Sequence, residues 1–206
     1  MVQKTLEKSI TYEKFKEIIQ EDQKAHLING RIFMETPASY KHEYIFGKLF
    51  SILRIYVVSR DLGIVLGSRT LVRIDKYNAF EPDLLFISKE RKNIIKEYEI
   101  VGAPDLVIEI ISKSSRREDR VEKFLGYEKI GVKEYWLIDS EKDIAEFYAL
   151  KGKKFEEIEV KDGVFKSTVI KDFWIKIQWL FDDKVKETDI INKILPSKEG
   201  LPTRGF

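Results

Sequence analysis

Two acidic side chains stand inside runs that are otherwise apolar. Asp83 lies in Glu81-Pro82-Asp83-Leu84-Leu85-Phe86-Ile87, and Glu109 lies in Pro104-Asp105-Leu106-Val107-Ile108-Glu109-Ile110-Ile111. A carboxylate is seldom buried unless it is paired or bound to a metal ion. If the two runs are neighbouring strands and both acids point to one face, they form a compact site made only of oxygen donors. Such a site suits a hard divalent cation, magnesium or manganese, left partly hydrated. An ion held there activates water and offsets charge that grows on a phosphate. Asp105 shares strand parity with Glu109 but lies four residues earlier, about 13 Å along a strand, and reads as a strand-start residue. Either acid taken alone has an ordinary structural explanation. Their matching settings are what suggest a shared site.

Chemistry on a phosphodiester also calls for a cation. The residue two positions after Glu109 is Ile111, which cannot serve, and Lys113 is the next of that parity. The following segment, read as a helix over roughly 116–130, carries Arg116, Arg117, Arg120 and Lys123 among Glu118, Asp119 and Glu122. Asp119 and Lys123 are four apart and share a helix face, as do Arg116 and Arg120. A helix that follows a strand packs back across the sheet, so Lys123 can face its edge. Composition leaves Lys113 and Lys123 as alternatives, and it also fits a plain solvated helix with routine ion pairs. As contacts to DNA, Arg116, Arg117 and Arg120 would hold phosphates without reading sequence. Glu35 follows an apolar run and precedes a proline turn. It is either an ordinary turn carboxylate or a group reaching the same site from another element. His42, near a helix start, is a candidate ligand, base or cap; His26 is a weaker candidate.

Composition narrows the field. The chain has 206 residues, 37 basic and 35 acidic, a net charge of +2, two histidines and no cysteine. Disulfides, thiolate zinc sites, thiol nucleophiles and iron–sulfur ligation are excluded, as is a three-histidine metal site. No Gly-x-Gly-x-x-Gly or Walker pattern is present, so no nucleotide cofactor is expected. No run approaches 18 apolar residues, so no membrane span is expected. The first residues lack an apolar core and a cleavage site, and the expected compartment is the cytoplasm.

The elements that must position these groups are legible in outline. Thr11 caps a short helix to about Gln20. Asn29-Gly30 between short apolar runs signals a hairpin. Ser39 leads into a helix over about 40–59, whose Tyr44, Ile45, Leu49, Ile52, Leu53 and Tyr56 recur at helical spacing. Ile64–Leu66 and Thr70–Ile74 read as strands, and residues 75–80 as a loop. Strands follow at 81–87 and 104–111. The helix after them should bury Val121, Phe124, Leu125 and Glu128 and stop at Gly131. Val132–Ile138 is then a strand parallel to 104–111. A hairpin turned at Lys151-Gly152-Lys153 comes next, and a strand or short helix lies within 164–179. The class is α+β, a mixed sheet with helices packed on it. One domain is expected over 1–195, with a flexible tail over 196–206.

These motifs together resemble a known family. Pro82-Asp83-Leu84-Leu85-Phe86 and Pro104 to Ser112 come first. Asp119, Lys123 and Tyr127 follow, and then Gly131-Val132-Lys133-Glu134-Tyr135-Trp136-Leu137-Ile138-Asp139. The set is similar to the Uma-type putative restriction endonucleases of the PD-(D/E)XK nuclease superfamily, over about residues 10–180. The resemblance implies a restriction-endonuclease-like fold and a magnesium-dependent phosphodiesterase site acting on DNA. It matches Asp83 and Glu109 to the metal-binding acids. It matches Lys123 to a catalytic lysine moved onto the following helix, and His42 to a histidine common at the start of the long helix. One departure stands out: three positions that are acidic in the family hairpin are here His26, Asn29 and Arg31. Most nucleases that cut both strands of a duplex use two active sites, so a homodimer is a further expectation. The alternative is a catalytically inactive nuclease fold that serves as a DNA-binding or homodimeric interaction module.

Overall fold

The computed structural model describes residues 9–20, 23–111 and 118–195. The expected tail at 196–206, together with Lys113, Ser114, Ser115, Arg116 and Arg117, lies outside these residues. In chain order the elements begin with α1 (Tyr12–Ile18), β1 (Ala25–Ile28), β2 (Arg31–Met34), α2 (Tyr40–Ser59), β3 (Gly63–Gly67), β4 (Val72–Asp75), β5 (Asn78–Phe80) and β6 (Leu84–Ser88). A 3-10 turn (Lys89–Ile94), β7 (Ile100–Val101) and β8 (Leu106–Ile111) follow. A π-helical turn (Glu118–Lys123) runs into α3 (Phe124–Ile130). The chain continues with β9 (Glu134–Asp139), β10 (Ile144–Lys151), β11 (Lys154–Glu157), β12 (Val164–Lys166), β13 (Trp174–Lys176), α4 (Gln178–Phe181) and α5 (Glu187–Ile194).

Six strands form the central sheet in the order β11-β10-β9-β8-β6-β3. β8 and β9 are parallel, with Leu106 beside Glu134 and Ile111 beside Asp139. β6 runs antiparallel to β8, with Leu84 beside Ile108. The sheet is therefore mixed, as expected. The alternation along β6 and β8 divides the core. Leu84, Phe86, Leu106, Ile108 and Ile110 pack with α2, α4 and α5 on one face. Leu85, Ile87, Val107 and Ile111 pack with Tyr127, Val132 and Tyr135 on the other. All six residues of β8 are buried, which is why that strand reads as one continuous apolar run.

A smaller sheet, ordered β2-β1-β5-β4-β7, carries the first hairpin. Asn29 and Gly30 both have positive φ, 50° and 73°, which gives the tight hairpin turn that this dipeptide favours. The face of β1–β2 bearing Ala25, Leu27 and Ile32 packs with Tyr12 and Phe15 of α1. α2 occupies the span read from the sequence, and the Ser39 hydroxyl caps it by accepting from the His42 N–H at 3.2 Å. Among the described residues no helix is long and apolar enough to cross a membrane.

Two expectations need correction. Residues 75–80 are not a loop. Asn78–Phe80 is β5, paired with β4 through a tight turn at Lys76-Tyr77 and with β1 at Leu27–Ala79. Three residues are too few to show a period. The helix before Gly131 also does not bury Val121 and Leu125, which are exposed. The π-helical turn carries an extra residue per turn. The buried side of this segment holds Asp119, Lys123 and Tyr127 instead. Its inward face is therefore polar, contrary to a solvated charged helix. Gly131 ends the helix with φ 87°, as expected.

Candidate active site

Continuing the β6–β8 register by one residue sets Asp83 directly opposite Glu109. Side chains so placed point to one face, with Cβ atoms about 4.5–5.5 Å apart. Asp83 Oδ2 accepts the Ile110 N–H at 2.8 Å, which pins the carboxylate across the two strands. Asp83 is 4% exposed and Glu109 2%.

Each acid has further partners. Lys24 Nζ lies 3.0 Å from Asp83 Oδ1, and His42 Nε2 lies 3.3 Å from Oδ2. Lys123 Nζ lies 3.1 Å from Glu109 Oε2 and 2.9 Å from Asp119 Oδ1. The Tyr127 hydroxyl donates to Glu109 Oε1 at 3.1 Å. Lys123 is only 1% exposed. Desolvating an ammonium costs several kcal/mol unless close opposite charge compensates, and here Glu109 and Asp119 supply that charge.

The first hairpin closes the site. Its register pairs His26 with Phe33, and the Glu35 N–H bonds to the Lys24 carbonyl, so Lys24, His26, Phe33 and Glu35 share one face. Glu35 Oε2 lies 2.8 Å from Lys24 Nζ, and Glu35 Oε1 lies 4.0 Å from Lys123 Nζ. His26 Nδ1 accepts the Glu81 N–H at 3.1 Å. That bond fixes the tautomer, so Nε2–H donates to Glu35. A cavity of about 450 Å³ lies against these groups. Its polar lining includes His26, Glu35, His42, Asp83, Glu109, Asp119 and Lys123, and its apolar lining includes Phe33, Met34, Pro37 and Ala38.

The charges settle unevenly. Burial works against ionised Asp83, but the His42 hydrogen bond and the Lys24 charge hold its carboxyl well below the usual range. Burial likewise opposes ionised Glu35, and the bond from His26 and the two lysines outweigh it, bringing it down to about 2. Glu109 goes the other way. Burial pushes it well above the ordinary value, Lys123 opposes that, and the charges of Asp119 and Asp83 reinforce it. Burial lowers His26 and, with Lys123 nearby, keeps it neutral. His42 is raised: burial resists its charge, but Asp83 and Glu43 face its two nitrogens. Four acids, Asp83, Glu109, Asp119 and Glu35, thus face Lys24, Lys123 and His42.

A hard divalent cation is the cofactor expected here, and the donor set fits one in kind. The acids facing the cavity offer oxygen only, and they outnumber the cations around them. Among the described residues no three His, Asp or Glu side chains are gathered closely enough to hold an ion. Asp83 and Glu109 are the adjacent pair.

The structure brings Asp83, Glu109, Lys123, Asp119, Glu35 and His42 to one cavity. Arg120 is directed elsewhere, pairing with Glu146 Oε2 at 2.6 Å. Lys113, Arg116 and Arg117 lie outside the described residues. Sequence reasoning did not single out Lys24 or the Tyr127 hydroxyl, and it undervalued His26. For His26 a signal existed: it shares hairpin parity with Glu35, opposite an apolar face.

Three comparisons bear on this arrangement. The family profile described as Uma2, putative restriction endonuclease, matches residues 11–178. An uncharacterized protein of Synechocystis sp., sll1609, is 29% identical over 121 residues, covering 58% of this chain and 68% of that protein. A crystal structure of a putative nuclease belonging to DUF820 from Anabaena variabilis superposes with a TM-score of 0.70 at 19% identity. That match covers 90% of this chain and 99% of the other. The mixed sheet flanked by helices is thus a restriction-endonuclease-like architecture, and the chain belongs to the Uma2 family of putative restriction endonucleases.

Proposed function

We propose that the protein is a metal-dependent endonuclease that hydrolyses DNA phosphodiester bonds. The observation that carries this reading is the opposed pair Asp83 and Glu109, with Lys123 3.1 Å from Glu109, beside one cavity. Asp83 and Glu109 would hold magnesium or manganese. When bound, such an ion polarises a phosphate oxygen and lowers the pKa of water.

The chain's own groups have separable parts to play. The Ile110 N–H, His42 and Lys24 fix Asp83 in its ionised form. Tyr127 orients Glu109 by donating its hydroxyl to Oε1. Lys123 is held charged by Asp119 and Glu109, against the cost of burial. It is within reach of the cavity, where it can orient water or donate to a phosphate as negative charge grows on it. Asp119 acts through Lys123 as a positioning residue. Glu35, held by His26, sets the position of Lys24.

The test is cleavage of supercoiled plasmid and single-stranded DNA with magnesium, manganese or chelator. Cleavage should require metal and vanish in Asp83→Ala and Lys123→Ala, each checked for folding by circular dichroism. Cleavage by folded Asp83→Ala at the wild-type rate contradicts the proposal.

A second reading rests on Lys24, whose ammonium already pairs with Asp83. In it the ion pairs have replaced the metal, and the chain is an inactive nuclease fold that binds DNA or forms a homodimer. Magnesium calorimetry separates the two, because only the active reading requires the ion to bind.

A further inference from the structure

We infer that the substrate is a nucleic-acid strand presented unpaired, one nucleotide at a time, rather than a continuous duplex. This rests on the nuclease reading and names the form of substrate that its site admits. Asp83, Glu109 and Lys123 are all at most 4% exposed, so a phosphate meets them only by entering the cavity. The cavity, about 450 Å³, falls within the roughly 300–1,000 Å³ of pockets that enclose a single small molecule. That is the scale of one nucleotide, not of a double helix.

The lining holds both chemistries that a nucleotide presents. Oxygen donors and Lys123 suit an ion and a phosphate. Phe33, Met34, Pro37 and Ala38 are apolar, and Phe33 shares the hairpin face of His26 and Glu35. Phe33 is 37% exposed although it sits opposite the buried His26. An aromatic ring left partly open beside polar groups suited to a phosphate is a stacking partner for a base, and stacking tolerates any sequence. A paired base would first have to leave its stack, which disfavours a continuous duplex. Phe33 is therefore assigned as a substrate-positioning residue.

The experiment offers wild-type protein and magnesium one strand labelled with 2-aminopurine in three forms: alone, in continuous duplex, and in duplex with an unpaired bulge. Label fluorescence on mixing reports stacking, and gels report product. The single strand and the bulge should be cut about ten-fold or more faster than the continuous duplex and should quench the label. Phe33→Ala should lose the quench and most of the preference, and Phe33→Trp should keep both, which a purely structural role would not produce. Duplex cut as fast as single strand, or a full preference and quench in Phe33→Ala, overturns this inference and leaves the nuclease reading intact. Folded wild type that neither binds nor cuts any form overturns both.

Discussion

Both ends of β8 carry buried carboxylates, and the two ends are built differently. At its start, Asp105 Oδ2 accepts the Ser88 N–H at 2.9 Å, and Oδ1 takes Arg91 at 2.9 Å and Lys133 at 2.7 Å. On the neighbouring strand at that same end, Glu134 accepts Trp136 Nε1–H and the Ser167 hydroxyl, each at 2.8 Å, on Oε1. Its Oε2 accepts the N–H and hydroxyl of Thr168. Neither acid lines the cavity. At the far end, Asp83, Glu109, Asp119 and Glu35 share two lysines and His42 beside open volume. Burial is common to both ends, so burial alone does not mark a functional acid. A buried acid short of cations, next to a space that a cation and a phosphate can enter, does.

The difference can be broken most forcefully at Lys123. Lys123→Met leaves Glu109 and Asp119 buried without their cation. Cleavage should fall by about 100-fold or more, and unfolding free energy at neutral pH by about 3–5 kcal/mol. Urea melts should show the stability loss shrinking as the pH falls, because burial already favours protonation of Glu109 and its protonation removes the charge left without Lys123.

Glu109→Gln separates the two properties. The amide imitates the protonated carboxyl that burial already favours. Thermal melting should stay close to that of the wild type, because Asp119 still faces Lys123 at 2.9 Å and repulsion from Asp119 and Asp83 is relieved, while cleavage falls by about 100-fold or more. Asp105→Asn should do the reverse. Losing one charged acceptor costs about 1–3 kcal/mol, read as roughly 2–4 °C of melting temperature per kcal/mol for a chain of this size, with cleavage unchanged.

The same residue gives a pH signature. Burial opposes the charge of Asp105, but Lys133, Ser88 and Arg91 hold its carboxyl below the ordinary 3.8. A depressed folded pKa contributes stability above the unfolded value and loses it as pH falls through the folded one. The gap in stability between wild type and Asp105→Asn should therefore be steady above about pH 5 and should close below pH 3.8.

Local signals carried much of this molecule. Ser39 and the helical spacing up to Tyr56 gave α2, Asn29-Gly30 gave the first turn, and the alternation in 104–111 placed Glu109 on the face it occupies. What escaped depended on distance or on irregular backbone. Lys24 follows the polar stretch Glu21-Asp22-Gln23 and reads as loop; only folding brings it across 59 residues to Asp83. Spacing left Lys113 and Lys123 as alternatives because strand parity offered one and helix packing the other. The helical segment turns Asp119, Lys123 and Tyr127 inward and leaves Val121 and Leu125 exposed.

The contrast between the two ends of β8 is tested most directly by one cleavage series. Wild type, Asp105→Asn and Glu109→Gln are incubated with the same DNA in magnesium and in chelator, each confirmed as folded. The account predicts metal-dependent cleavage in wild type and Asp105→Asn and none in Glu109→Gln. Cleavage by Glu109→Gln at the wild-type rate would contradict it.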